Sequence, residues 1–209
     1  GHALYLQYGN IFDPNEVIDS SQRRNIVIPV NRCFDTHVDN HIISAQTVHG
    51  ATSNSLYASG KYTEESLSMA IGKLLENTNY KSLSEEEKPE GNRKRYPVGT
   101  VVDLPGYENE HFFLWALSTF DNKLKAHTSM QEYALAVQKL IESCNEESEG
   151  FPVVLPLVGT GLSRTKKGQQ DVLKYLINAF RINKAEINCD IHIVVRNDMK
   201  NEIAIMNIK

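Results

Sequence analysis

The sequence predicts an α/β domain in which helices cover a mixed central sheet. Three observations carry that prediction. The stretches "NIVIPVN", "FPVVLPLV" and "DIHIVV" are near-continuous apolar runs rich in β-branched residues, as strands buried on both faces require. The stretches "SMQEYALAVQKLIESC" and "QQDVLKYLINAF" repeat their apolar residues at helical spacing. In the later part of the chain, strands and helices alternate.

The elements follow in order. "LYLQYG" is a short alternating strand and "NIVIPVN" the first buried one. Val38 to Ala45 reads as a short helix. "TEESLSMAIGKLLENT" has a Thr cap, early glutamates, and Leu67, Ala70, Ile71, Leu74 and Leu75 on one face. Residues 81–95, "KSLSEEEKPEGNRKR", have no apolar face and read as a solvated, mobile charged insertion. "VGTVVDL" and "HFFLWALS", joined by "PGYENE", read as a hairpin with Trp115 in the core. Tyr133, Ala136, Val137, Leu140 and Ile141 form one face of the clearest helix. The tail "EIAIMNIK" fits a strand or a short helix.

The 209 residues suit one domain with its own core. Gly1-His2-Ala3 reads as a cloning scar, which leaves a single domain over 4–209. A net charge of -4 argues against a nucleic-acid surface. No run approaches the roughly 18 apolar residues that span a bilayer. Cys33, Cys144 and Cys189 are odd in number and widely spaced, so we expect reduced thiols.

Ligands of open α/β sheets sit at the carboxyl ends of strands, and two strand ends here carry suspicious residues. After "FPVVLPLV" come Gly159, Thr160, Gly161, Leu162, Ser163 and Arg164, then two lysines and a helix. Glycines let backbone N–H groups approach a phosphate, and a helix start adds positive potential. After "NIVIPVN" come Phe34, Asp35, Thr36 and Asp39, with Asn31 at the strand terminus able to bond a ribose hydroxyl. Read blandly, the first is a strand-to-helix turn and the second ordinary Asn/Asp turn chemistry. The P-loop and G-x-S-x-G patterns do not occur, and the dinucleotide fingerprint fails at Arg164. His37 and His41 stand four apart, but without the glutamate of H-E-x-x-H, so no metal site is expected.

Together, "GNIFD", "IVIPVN" and "PLVGTGLS", in that order, resemble the macro domain. "PVNRCFDTHVDNHIISAQTVHG", "YPVGTV", "FFLWALSTFDNKLKAH" and "PLVGTGLSR" resemble, within that superfamily, the sensor domains of type II Thoeris effectors of the ThsA family. The resemblance implies a three-layer α/β/α fold and an ADP-ribose-derived ligand. It implies that ligand to be histidine-ADP-ribose, a nucleotide messenger made by a TIR enzyme in bacterial anti-phage defence. It implies a cytoplasmic domain of a membrane-anchored protein, joined to the membrane through a segment ahead of this chain, and homo-oligomerisation on activation. The implied binding residues are Asn10, Ile11, Asn31, Phe34, Asp35, Thr36, Asp39 and Gly159 to Arg164, with no catalytic residue, metal or cofactor.

Two departures bear on mechanism. Asn10 stands where the family pattern has Asp, so the adenine amino group would meet an uncharged acceptor. Phe34-Asp35-Thr36 replaces a glycine-rich loop, which disfavours hydrolysis and leaves Asp35 to meet a positive group of the ligand. The main rival is an ADP-ribosyl hydrolase in which Asn31 and Asp35 position water. A further rival is a protein-interaction domain with a vestigial pocket.

Overall fold

The computed structural model describes residues 2–13, 22–157, 166–201 and 203–205, apart from the side chains of 166 and 167. The strands are β1 (Leu4–Tyr8), β2 (Arg24–Asn31), β3 (Lys81–Ser82), β4 (Lys94–Arg95), β5 (Val101–Pro105), β6 (Glu110–Phe120), β7 (Ala126–His127), β8 (Val153–Pro156) and β9 (Ile191–Val195). The helices are α1 (Val48–Ala58), α2 (Glu64–Leu74), α3 (Met130–Glu147) and α4 (Lys166–Ile182). The main sheet runs β1-β9-β8-β2-β6-β5, with β7 added to β6. From β1 to β6 each neighbouring pair is parallel, while β5 and β7 lie antiparallel to β6.

Side chains alternate across this sheet, which sorts them into two cores. Val27, Phe113, Trp115, Val153, Leu155 and Ile193 pack with α3 and α4. Ile26, Ile28, Val30, Leu114, Val154 and Val194 pack with Leu56 of α1 and Leu67 and Ile71 of α2. A strand contributing to both cores must be apolar through its middle, which is why Ile26 to Val30 of β2 show no polar alternation. The result is a three-layer α/β/α fold. Each fully buried aliphatic side chain stabilises it by about 1.5–3 kcal/mol. The indole of Trp115, the largest buried side chain, donates to the Ala136 carbonyl at 3.0 Å, so its one polar group is satisfied.

Local signals set the helix starts. Thr63 and Ser66 form a reciprocal capping box at α2, and Ser129 and Glu132 do the same at α3. Tyr133, Ala136, Val137, Leu140 and Ile141 are all buried, as their spacing requires. The expected helix over Val38 to Ala45 is absent: that stretch turns and bridges Val38 to Ile43. Helix α1 begins beyond it, capped by Thr47, whose hydroxyl accepts from Gly50 N. Gly50 is required there because a Cβ would lie 2.0 Å from the Ser44 carbonyl oxygen. Asn197–Met199 form a short 3-10 turn before the tail and Ile203 is buried, while 202 and 206–209 of the stretch expected to be a strand or short helix lie outside the described residues. No helix among the described residues is long and apolar enough to cross a membrane.

Candidate functional site

Because β1, β9, β8 and β2 are adjacent and parallel, their carboxyl ends lie along one edge of the sheet. Gly9 to Ile11 follow β1, Asn31 to Thr36 follow β2, and 158–165 follow β8. The β2–β8 ladder pairs Asn25 with Val153 and Ile26 with Val154, then stops. Pro29 and Pro156 come after that point, and neither has an N–H to extend a ladder. Main-chain bonding between β2 and β8 therefore ends short of the carboxyl edge, and this parting of the ladder lies where open α/β sheets receive ligands. Gly159, Thr160, Gly161, Leu162, Ser163 and Arg164 lie outside the described residues.

Asn31 ends β2 on one lip of this parting and is 4% exposed. Its Oδ1 accepts from Cys33 N at 3.0 Å, and its main-chain carbonyl accepts from Phe34 N at 3.0 Å. Among the described residues its Nδ2 has no partner, so that donor is available to a ligand. Phe34 takes a left-handed conformation (φ 51°), which a non-glycine residue holds only when its surroundings insist. Asn92 insists: its Nδ2 donates to the carbonyls of Cys33 (3.2 Å) and Phe34 (3.1 Å). The Phe34 ring packs edge-on to Tyr96. Thr36 shares a 2.6 Å hydrogen bond with Ser68 of α2, and its carbonyl accepts from the Tyr57 hydroxyl at 2.6 Å. This loop is thus rigid without glycines.

Asp35 does not wait for a ligand cation. Its Oδ2 accepts from Lys88 Nζ at 2.6 Å, and its Oδ1 accepts from Asn92 N at 2.6 Å. The Lys88 ammonium also donates to the Asn92 carbonyl at 2.6 Å and sits 5.7 Å from the Phe120 ring centroid. Residues 81–95 are largely exposed, as expected, but the same contacts correct the expectation of a mobile insertion by fastening the segment at Lys88. Strands β3 and β4 form a two-stranded antiparallel ladder, and Lys88 between them is 1% exposed. The charged run looks soluble because its one buried residue is itself a charge, matched by Asp35 from elsewhere in the chain.

His49 of α1 lies against the Asp35 main chain and is half-buried by surface. Burial pushes its imidazole down to about 4, and the bond to the Asp35 main chain opposes that only in part. The ring is neutral at physiological pH. Asp39 is peripheral: its Oδ1 accepts from His41 N (2.9 Å) and Ile42 N (3.1 Å), which holds its carboxyl below the usual range. Asp39, His41 and Glu90 each bring a ligand atom within 4.8 Å of the others, at partly or fully exposed positions. His37 pairs instead with Glu64 at 2.9 Å. Such surface carboxylate–imidazole groups form without an ion, and Asp39 already spends one oxygen on its turn.

At the end of β1, Gly9 N donates to the Val195 carbonyl at 2.9 Å and Ile11 is buried. Asn10 is exposed, and its Oδ1 accepts from Phe12 N at 3.0 Å, so its side chain also shapes its own turn. The sequence reading missed Lys88, Asn92 and His49. The one signal for the first two was Pro89 and Gly91 interrupting the charged run. Gly91 has φ +81°, and a Cβ there would lie 2.3 Å from Asp35 Oδ1.

Comparison with known proteins agrees with this geometry. Residues 4–196 match the family described as Thoeris protein ThsA, Macro domain. A curated relative, Thoeris protein ThsA of Bacillus amyloliquefaciens (strain Y2), is 27% identical over 191 residues, covering 89% of this chain. The match spans 59% of that relative's length. Among solved structures, the macrodomain of Mycobacterium tuberculosis DarG superposes with a TM-score of 0.50 at 15% identity, over 93% of this chain and 98% of that one. That likeness concerns the fold alone. The match over 4–196, on a three-layer α/β/α fold, places the chain in the macro domain family of the Thoeris protein ThsA.

Proposed function

We propose that this domain is a sensor that holds an ADP-ribose-derived nucleotide at the carboxyl edge of the sheet, between β2 and β8. The observation that carries this reading is the parting of those strands beside Asn31, whose Nδ2 has no partner among the described residues. A ribose hydroxyl would accept from that donor. The diphosphate would lie on Gly159 to Ser163, a role that rests on their sequence. Membership of the macro domain family supports the ADP-ribose moiety. The resemblance to Thoeris effectors supports histidine-ADP-ribose, made by a TIR enzyme, as the signal. Activation of an effector on binding belongs to the same proposal, because the match spans 59% of the relative's length.

A sensor is favoured over a hydrolase by Asp35. A water-positioning carboxylate needs an open face, and Asp35 is 3% exposed with its two oxygens engaged by Lys88 and Asn92. Calorimetric titration with ADP-ribose and with histidine-ADP-ribose, followed by chromatography of the recovered ligand, tests the proposal. We expect saturable binding, tighter for histidine-ADP-ribose, with the ligand recovered intact. Absence of binding by folded protein contradicts the sensor. Catalytic release of free ADP-ribose converts it to a hydrolase.

A further inference from the structure

A second cleft opens at the carboxyl ends of β2 and β6, across β2 from the parting described above. It is a small cleft open to solvent, with a cavity volume of about 10 Å³, and its lining includes Asn31, Arg32, Arg95, Ser118, Thr119 and the buried Lys88. Arg95 is half-buried and, among the described residues, its guanidinium makes no hydrogen bond or ion pair within 4 Å. The Ser118 and Thr119 hydroxyls likewise have no hydrogen-bond partner among those residues.

Arg32 is held in place by a 2.8 Å bond from its Nε to the Tyr96 carbonyl and a 3.5 Å ion pair from Nη1 to Glu132. Its guanidinium is shifted down by burial and by the charge of Arg95, so the two cations repel across the cleft. Glu132 and Glu87 lie within reach of Arg95's charge, but both are engaged. Glu132 accepts from Ser129 N and pairs with Arg32, while Glu87 accepts from Ser84 N and pairs with Lys81. Lys88 is neutralised by Asp35. The surplus is one guanidinium, beside a space whose lining includes Ser118 and Thr119 and that an anion would fill. An anion there would relieve the repulsion and give the Arg95 guanidinium a partner, with a donor from the Ser118–Thr119 stretch of β6 beside it.

We propose that this cleft is an anion subsite that takes a carboxylate or phosphate group of a small ligand, with Arg95 as its principal contact and Ser118 and Thr119 as further donors. Asn31 borders both this cleft and the proposed nucleotide site, but the proposal does not rest on the nucleotide reading, because a free anion suffices to test it.

The test is an NMR titration of the domain with inorganic phosphate and, separately, with sodium acetate, at ionic strength held constant with sodium chloride. The Arg32 and Arg95 side-chain Nε–H signals and the Ser118 and Thr119 amides should shift and saturate. Saturation by phosphate alone assigns a phosphate group, and saturation by acetate as well assigns a carboxylate. Arg95→Gln should weaken the half-saturation point about tenfold or more, with the rest of the spectrum unchanged. Ser118→Ala provides a second, smaller loss that leaves the Arg32 and Arg95 charges in place. Shifts that chloride reproduces, or half-saturation indifferent to both variants, would overturn the subsite.

Discussion

Lys88 Nζ lies 2.6 Å from Asp35 Oδ2, with 1% and 4% of the two side chains exposed. This pair fastens the 81–95 segment to the loop that ends β2. Removing one member of a buried ion pair strands the other charge in a low-dielectric site, at a cost of about 3–5 kcal/mol. Lys88→Met should therefore lower unfolding stability by that order. The double variant Lys88→Met with Asp35→Leu should recover a large part of it. Chemical denaturation of the two single variants and the double variant measures the coupling. Simple additivity of the two losses would show that the pair does not act as a unit.

The same junction makes a prediction at Gly91. A Cβ would meet Asp35 Oδ1 at 2.3 Å, at a φ of +81° that disfavours any side chain. Gly91→Ala should destabilise by more than about 1 kcal/mol. It should also perturb the Lys88 and Asn92 contacts to Asp35, seen as shifts in the Asp35 and Asn92 amide signals. The control is Gly60→Ala, which has a similar φ (+77°) but open space around it, and it should leave those signals alone.

His49 predicts a pH dependence of stability. Its unfolded-state value is 6.5 and its folded-state value about 4. Between those values the unfolded chain binds more protons, so stability is full above pH 6.5 and falls as pH drops toward 4. The loss is at most about 3 kcal/mol, because the ring keeps some contact with solvent. Thermal melts of wild type and His49→Gln across this window should show a shallower slope in the variant. Parallel curves would assign the pH dependence elsewhere.

Much of the fold was legible because its signals are local. The capping boxes at Thr63 and Ser129 and the apolar face from Tyr133 to Ile141 each lie within one short window. The continuous apolar run of β2 likewise announces a strand with helices on both sides. Helix α1 was missed because "VHGATSNSLYA" has few large apolar residues, and it is positioned by its Thr47 cap and by Gly50 packing on Ser44. At the site, the strand-end position of Asn31 was visible in the run before it. The Asp35–Lys88 pair was not, because its members are 53 residues apart and a lysine in a charged run carries no mark of burial.

Asn31 carries the binding prediction. Its Oδ1 organises the turn through Cys33 N, and its Nδ2 has no partner among the described residues. Asn31→Asp keeps an acceptor for Cys33 N but replaces that donor with a second, negatively charged acceptor. It should weaken ADP-ribose binding by about tenfold or more, through a lost hydrogen bond and added repulsion of the diphosphate. Calorimetry with folding checked by circular dichroism gives the ratio, and unchanged affinity would remove Asn31 from the site.

The central claim is that the nucleotide lies where β2 and β8 part, and a crystal structure of the domain with ADP-ribose bound tests it most directly. The account predicts the distal ribose within hydrogen-bond distance of Asn31 Nδ2 and the diphosphate against Gly159 to Ser163. A nucleotide seated instead in the Arg32–Arg95 cleft, or anywhere away from the carboxyl edge between β2 and β8, would contradict it.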